Sequence, residues 1–139
     1  IVGKQGWLVE ELATKIRFNQ ELNHRLFWLD GVSDECLEKI YEVSSCLIAA
    51  SEGEGFGLPL IEAAQYKLPI IARDIPVFRE VSGEHAFFFK SLDSLDLAQD
   101  ISDWLELYKV GDHTKSDGMP WLTWEQSASQ LKKVLFQGG

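Results

Sequence analysis

Two carboxylates with seven residues between them, Glu54 and Glu62, bracket a glycine-rich run in the stretch SEGEGFGLPLIEAA that starts at Ser51. Gly53, Gly55 and Gly57 alternate within it. Glycine tolerates positive φ and lets a ligand approach the backbone closely, so all three can adopt such a conformation. Successive N–H groups in such a turn can form an anion-binding concavity, and a helix starting near Leu58 adds unpaired N–H groups and the positive end of its dipole. A phosphate suits that environment. Glu54 does not suit a phosphate, because like charges repel, but a carboxylate accepts hydrogen bonds from ligand hydroxyls. Glu62, about one helical turn into the helix and expected on its crevice side, can do the same. A phosphate flanked by two polyols, as in a nucleotide sugar, satisfies all three features. An ordinary strand-to-helix glycine turn with a solvated Glu62 is the plainer alternative, and spacing alone leaves both open.

The elements that must position these residues follow from hydrophobic patterning. Cys46 to Ala50 (CLIAA) is a continuous apolar run, the mark of a strand covered on both faces in a parallel sheet. Leu58 to Tyr66 is rich in helix formers, Pro69 to Ala72 (PIIA) resumes a buried strand, and Pro76 suits the first turn of a short helix through Glu80. Ala86 to Phe89 (AFFF) is the next strand, and Leu97, Ile101, Trp104, Leu105 and Tyr108 mark a long helix. Upstream, Ile1 to Gly3 reads as the end of a strand, Leu8, Leu12 and Ile16 as one helix face, and Arg25 to Leu29 (RLFWL) as strand-like. Asp30-Gly31 signals a turn, and Ser33 can cap a helix whose apolar face is Leu37, Ile40, Tyr41 and Val43 or its neighbour. Strand-helix alternation predicts an α/β fold: a Rossmann-like open parallel sheet with helices on both faces, whose ligands bind beyond the carboxyl ends of the strands. The turn after CLIAA lies at such an end.

Composition narrows the functions available. The chain of 139 residues is one domain in size, and its apolar share of 45% is that of a globular protein. Its 13 basic and 22 acidic residues give a formal charge of -9, with no basic stripe to meet a phosphate backbone, so nucleic acid is an improbable partner. No apolar run reaches the ~20 residues that span a bilayer and no signal-peptide pattern opens the chain, so a cytoplasmic location is expected. Cys36 and Cys46 lack a zinc-like spacing and are expected to be reduced core thiols. His24, His85 and His113 form no recognisable triad and are expected in loops or on the surface. Trp121, Leu122 and Trp124 lead into a terminal helix; packing on the body is expected, with a patch for another domain as the alternative. LFQG near the C-terminus resembles part of a protease-tag remnant, yet it continues an apolar helical pattern.

The run SEGEGFGLPLIEAA, followed by LPIIARDIPVFREVSG and preceded by DGVSDECLEKIYEVSSCLIAAS, resembles the donor-binding half of retaining glycosyltransferases of family four, of the two-domain GT-B type. The likeness covers roughly Ile1 to Ser94, and its central signature is the Glu54 and Glu62 pair within EGFGLP. It implies that Glu54, the catalytic-site acid, contacts donor-sugar hydroxyls, and that Glu62 binds the ribose. The amides of Gly55, Phe56, Gly57 and Leu58 would hold sugar and diphosphate, and the loop of Gly31 and Val32 would border the base. Packing of a loop residue on the sheet explains Val32 as well. Lys67 departs from the family's pattern, in which a glycine ends this helix; a left-handed lysine there is strained but tolerable. Arg73 and Asp74 lie at the same crevice edge in that pattern, although a local ion pair is the commoner role for such residues.

The family's first strand and helix, with an Arg and a Lys that clamp the diphosphate, have no counterpart here, and neither does its acceptor-binding N-terminal domain. The expectation is therefore a single C-terminal GT-B domain over residues 1–139, a fragment inactive alone, whose helix at about 121–137 contacts the missing domain. The family uses no metal and no cofactor, and no Asp-x-Asp motif is found. MPWLTW and IARDIPVFREV are most like bacterial polysaccharide mannosyltransferases, which points to GDP-mannose as donor and to a glycan or lipid-linked glycan as acceptor. Any membrane association, peripheral at the inner membrane, would come through missing regions. A nucleotide-sugar epimerase domain and a non-catalytic regulatory module are the alternatives.

Overall fold

The computed structural model describes residues 1–137, which divide into two compact units, Ile1–Val43 and the part from Ser44 onward. The first unit holds helices α1 (Glu10–Arg17) and α2 (Asp34–Val43). Acidic residues open α1 and Lys15 and Arg17 close it, which complements the helix dipole. At α2 the Ser33 hydroxyl accepts the Cys36 N–H at 3.3 Å, the cap expected from sequence.

Four expectations for this unit need correction. Leu8 lies outside α1, with φ 57° and 92% of its surface exposed, so the helix face begins later. The strands expected at Ile1 to Gly3 and at Arg25 to Leu29 shrink to isolated bridges, Val2 with Leu29 and Leu26 with Leu22. The cause is local: the Glu21 carbonyl accepts the amides of His24, Arg25 and Leu26, which winds this stretch into turns. Cys36 is exposed rather than in the core, because the half-buried side of α2 is formed by Leu37, Ile40 and Tyr41.

The second unit carries three parallel strands, β1 (Leu47–Ala49), β2 (Ile70–Arg73) and β3 (Phe87–Phe89), in the order β1-β2-β3. Ile48 pairs with Ile71, and Ile71 with Phe87. Between and after them run α3 (Leu58–Gln65), α4 (Pro76–Ser82), α5 (Ser94–Val110) and α6 (Trp124–Gln137). Ile70, Ile71 and Ala72 are each 0% exposed; neighbours in a strand point to opposite faces, so β2 is covered on both. α3 packs on β1, β2 and α4, and α5 packs on β3. Ile71, Phe89 and Trp104 form a buried cluster, with Cys46, Phe87 and Leu97 partly buried against it. Burial pushes the Cys46 thiol above its ordinary pKa, which keeps it protonated and inert. The expectation that CLIAA is covered on both faces fails at Ile48, which is 44% exposed, while its neighbours Leu47 and Ala49, on the opposite face, are half-buried and α3 packs on the strand.

α5 is capped by the Asp93 carboxylate, which accepts the Leu95 N–H at 2.7 Å, and ends on Gly111 at φ 76°. The segment after it straps back along the amino ends of the strands. Ser116 Oγ donates to the Leu68 carbonyl at 2.7 Å in a buried position, just before β2, and Gly118 lies against His85, just before β3. His113 packs on the rings of Tyr108 and Trp104 with centroids 4.8 and 5.9 Å away. Thr123 and Gln126 exchange hydrogen bonds as a capping box that starts α6. The packing expected of Trp124 is not found: it is 82% exposed, and Leu131, Val134 and Phe136 are exposed with it. Of the C-terminal LFQGG, Gly138 and Gly139 lie outside the described residues. No helix among the described residues is long and apolar enough to cross a membrane.

α3 ends as its sequence predicts. Lys67, at φ 54°, donates its N–H to Ala64, and the Leu68 N–H returns to the Ala63 carbonyl, the pairing of a Schellman cap. A side chain in this left-handed conformation costs about 1 kcal/mol. Lys67→Gly is therefore expected to raise the urea midpoint, by up to about 1 kcal/mol of stability, the gain being reduced by the greater freedom of glycine in the unfolded chain. An unchanged or lower midpoint would contradict this account of the cap.

Candidate functional site

The turn from Ser51 to Gly57 leaves the carboxyl end of β1 and feeds α3. Gly57 is the N-cap residue, at φ 84° and ψ 35°, and a Cβ placed there would touch Phe78 Cδ1 at 3.4 Å. Of the three glycines that can adopt positive φ, only Gly57 does so; Gly53 and Gly55 lie outside that region, because only the last residue must turn the chain into the helix. A Cβ on either of those two would meet nothing within 4 Å, so the space above them is open. Pro59 sits in the first turn of α3, where its missing N–H breaks no helical bond.

Glu54 is exposed, and its Oε1 accepts the Gly55 N–H at 3.2 Å. One of the amides expected to serve an anion is thus engaged by the turn's own carboxylate. Phe56 and Leu58 are exposed at the same turn. Glu62 is half-buried and follows Leu58 by four residues, hence on the same side of α3, whereas Leu60, Ala63 and Ala64 form the buried side. The structure therefore gathers Glu54, Gly55, Phe56, Gly57, Leu58 and Glu62 on one turn and the helix it starts. Gly31, at φ 70°, and the half-buried Val32 belong to the first unit, in the loop before α2.

The residues after β2 build the rest of this edge. Asp74 makes the local ion pair expected of it, but with Arg79: two hydrogen bonds of 2.6 and 3.0 Å, with Lys90 at 3.5 Å on the second oxygen. The Arg79 guanidinium also lies 3.8 Å from the centroid of Phe88. The hydrogen bonds from Arg79 hold the Asp74 carboxyl below its ordinary pKa, partial burial opposes the shift, and the charges of Arg79 and Lys90 add to it. Arg73, by contrast, bonds two carbonyls: its Nε donates to Ala50 and its Nη1 to Ser91, both at 3.0 Å. That role was not legible beforehand, because carbonyl acceptors leave no mark in a sequence. Among the described residues no group of three or more His, Cys, Asp or Glu side chains is placed to hold a metal ion.

Two outcomes follow from this geometry. Gly57→Ala should lower stability by about 1–2 kcal/mol in urea unfolding, the cost of a left-handed side chain, while Gly53→Ala and Gly55→Ala should stay within about 0.5 kcal/mol of wild type. Equal losses at all three positions would show the positive φ at Gly57 to be unimportant. For Asp74, a lowered folded-state pKa means that its contribution is present above the ordinary carboxylate value of about 4 and is lost as pH falls through the folded value. Acid unfolding of Asp74→Asn should thus lose part of the wild-type pH dependence below about pH 4; superimposable profiles would refute the pair's contribution.

Comparison with known proteins agrees with this architecture. Serotype-specific mannosyltransferase WbdA of Escherichia coli is 55% identical over 135 residues, which are 97% of this chain and 17% of that protein. O-antigen chain mannosyltransferase RfbU of Salmonella typhimurium is 40% identical over 68 residues, 49% of this chain and 19% of that protein. The chain thus spans less than a fifth of the length of these relatives. The solved GtfA/B complex superposes with a TM-score of 0.55 at 17% identity, covering 96% of this chain and 24% of that one, a likeness of fold. The model of the family "Glycosyl transferases group 1" matches residues 1–118, and the chain belongs to that family.

Proposed function

We propose that this chain is the donor-binding domain of a retaining mannosyltransferase that builds a bacterial polysaccharide, with GDP-mannose as the donor. The observation that carries the reading is the pair Glu54 and Glu62 at the two ends of one Gly57-capped helix start, with open space above Gly53 and Gly55. The mannosyltransferase names of the relatives supply the sugar.

In this reading the diphosphate meets the amides of Gly55, Phe56, Gly57 and Leu58 at the positive end of α3. Glu62 accepts hydrogen bonds from the ribose hydroxyls, and Glu54 turns from Gly55 to the hydroxyls of the mannose. Breaking the bond between anomeric carbon and diphosphate builds positive charge on the sugar and negative charge on the leaving group. The turn amides and the helix dipole stabilise the latter, and a preorganised site does so without reorienting at the moment of reaction. No metal or cofactor takes part. The acceptor, a glycan or lipid-linked glycan, is held by another domain, against which the exposed apolar side of α6 packs. Any contact with the inner membrane is made outside this chain.

An NMR titration tests the assignment. GDP should shift the amides of Gly55, Gly57 and Glu62 at lower concentration than UDP or ADP, with a dissociation constant on the order of 1 mM or weaker. Glu62→Ala should weaken GDP binding by roughly 1.5–3 kcal/mol, the scale of a hydrogen bond to a charged group. Glu54→Ala should leave GDP unchanged and weaken only GDP-mannose. Equal GDP binding by wild type and Glu62→Ala would remove the ribose role, and a preference for UDP would remove the mannosyl assignment.

A further inference from the structure

The geometry points to Arg73 as the positioning residue of the glycine turn, a guanidinium fork that fixes the turn after β1 to the loop after β3. Arg73 is the last residue of β2, the central strand, and its side chain reaches to both sides. Nε donates to the carbonyl of Ala50, immediately before the turn begins at Ser51, and Nη1 donates to the carbonyl of Ser91. The guanidinium lies 5.2 Å from the centroid of Phe89, which is 1% exposed and cannot yield. Ser91 is itself tied down, its hydroxyl donating to the Asp100 carboxylate on α5. The far anchor of the fork is therefore a helix, and the near one is the backbone that enters the turn.

Two carbonyls bonded by two nitrogens of one rigid plane constrain distance and direction together, which a flexible ammonium with a single bonding centre does not do. Loops that carry binding groups gain affinity when they are held in the bound shape beforehand. The two carbonyls that Arg73 bonds belong to Ala50 and Ser91, neither of them assigned to the ligand, so it acts through Ala50 and the turn. The inference deepens the donor-binding reading and rests on it for the ligand, while the ordering of the turn stands apart from any ligand.

The test is Arg73→Lys in the whole chain, which keeps the positive charge and removes the fork. Backbone ¹⁵N relaxation should show residues 51–57 and 90–93 becoming mobile on the ps–ns timescale while β2 stays rigid, and GDP should bind about tenfold more weakly. Wild-type order and wild-type GDP affinity in Arg73→Lys would overturn the proposal and leave the charge alone as the contribution of Arg73. If wild-type protein shows no GDP shift at the turn, the donor-binding reading fails, and the relaxation data still decide whether Arg73 orders the turn. Should Arg73→Lys not fold, the wild-type Arg73 Nε–H signal decides: exchange with water well below that of free arginine supports the fork, and exchange as fast as free arginine overturns it.

Discussion

Everything in the second unit depends on the need of β2 to be covered on both faces. This central strand has no solvated side, for Ile70, Ile71 and Ala72 are all fully buried. That forces one crossover helix, α3, and a second cover, α5, and it aligns the strands so that their carboxyl ends emerge along one edge. The loops after β1 and β3 have nowhere else to go. Polar and charged groups appear where β2 reaches that edge: Arg73 and Asp74 follow directly upon three fully buried residues. The sharp change from core to charge marks where the scaffold ends and the chemistry can begin.

The parts of this arrangement that were legible are those written in side-chain type. CLIAA, PIIA and AFFF read as strands because continuous apolar runs have few other uses in a chain of this size, and α5 reads as a helix because its apolar residues recur on one side. RLFWL, apolar after its Arg25, misleads, since three amides converging on the Glu21 carbonyl decide its path and no pattern of residues announces that. Glycine licenses positive φ without demanding it, so Gly53, Gly55 and Gly57 look alike in sequence although only Gly57 uses the licence. Lys67 is the reverse case: the resemblance to a family with glycine at this place implies the left-handed cap even though lysine resists it. The acid pair was legible, whereas the fork of Arg73 spans 23 and 18 residues to main-chain oxygens and was not.

The two faces of the turn also divide the work of α3. Its buried side is Leu60 with the two small residues Ala63 and Ala64, which let the helix approach the sheet, while Leu58 and Glu62 occupy the other side. A single short helix therefore has one side in the core and the other at the candidate site. Gly57, buried beneath Phe78, joins the two, because its left-handed conformation lets the chain enter the helix where a side chain would crowd the core.

The strap after α5 has a consequence for the order of folding. The bond from Ser116 to the Leu68 carbonyl joins residues 48 apart in the chain. Closing a loop of that length costs about 3 kcal/mol of chain entropy plus a constant, more than the roughly 1 kcal/mol a single hydrogen bond returns. The contact is therefore unable to lead folding and must wait until α3, the sheet and α5 have already brought its ends together, when burial of Met119 adds to it. The sheet edge with Glu54 and Glu62 is assembled from residues that precede the strap. During synthesis, the amino end of the sheet is then the last to be sealed, well after the opposite edge has taken its shape.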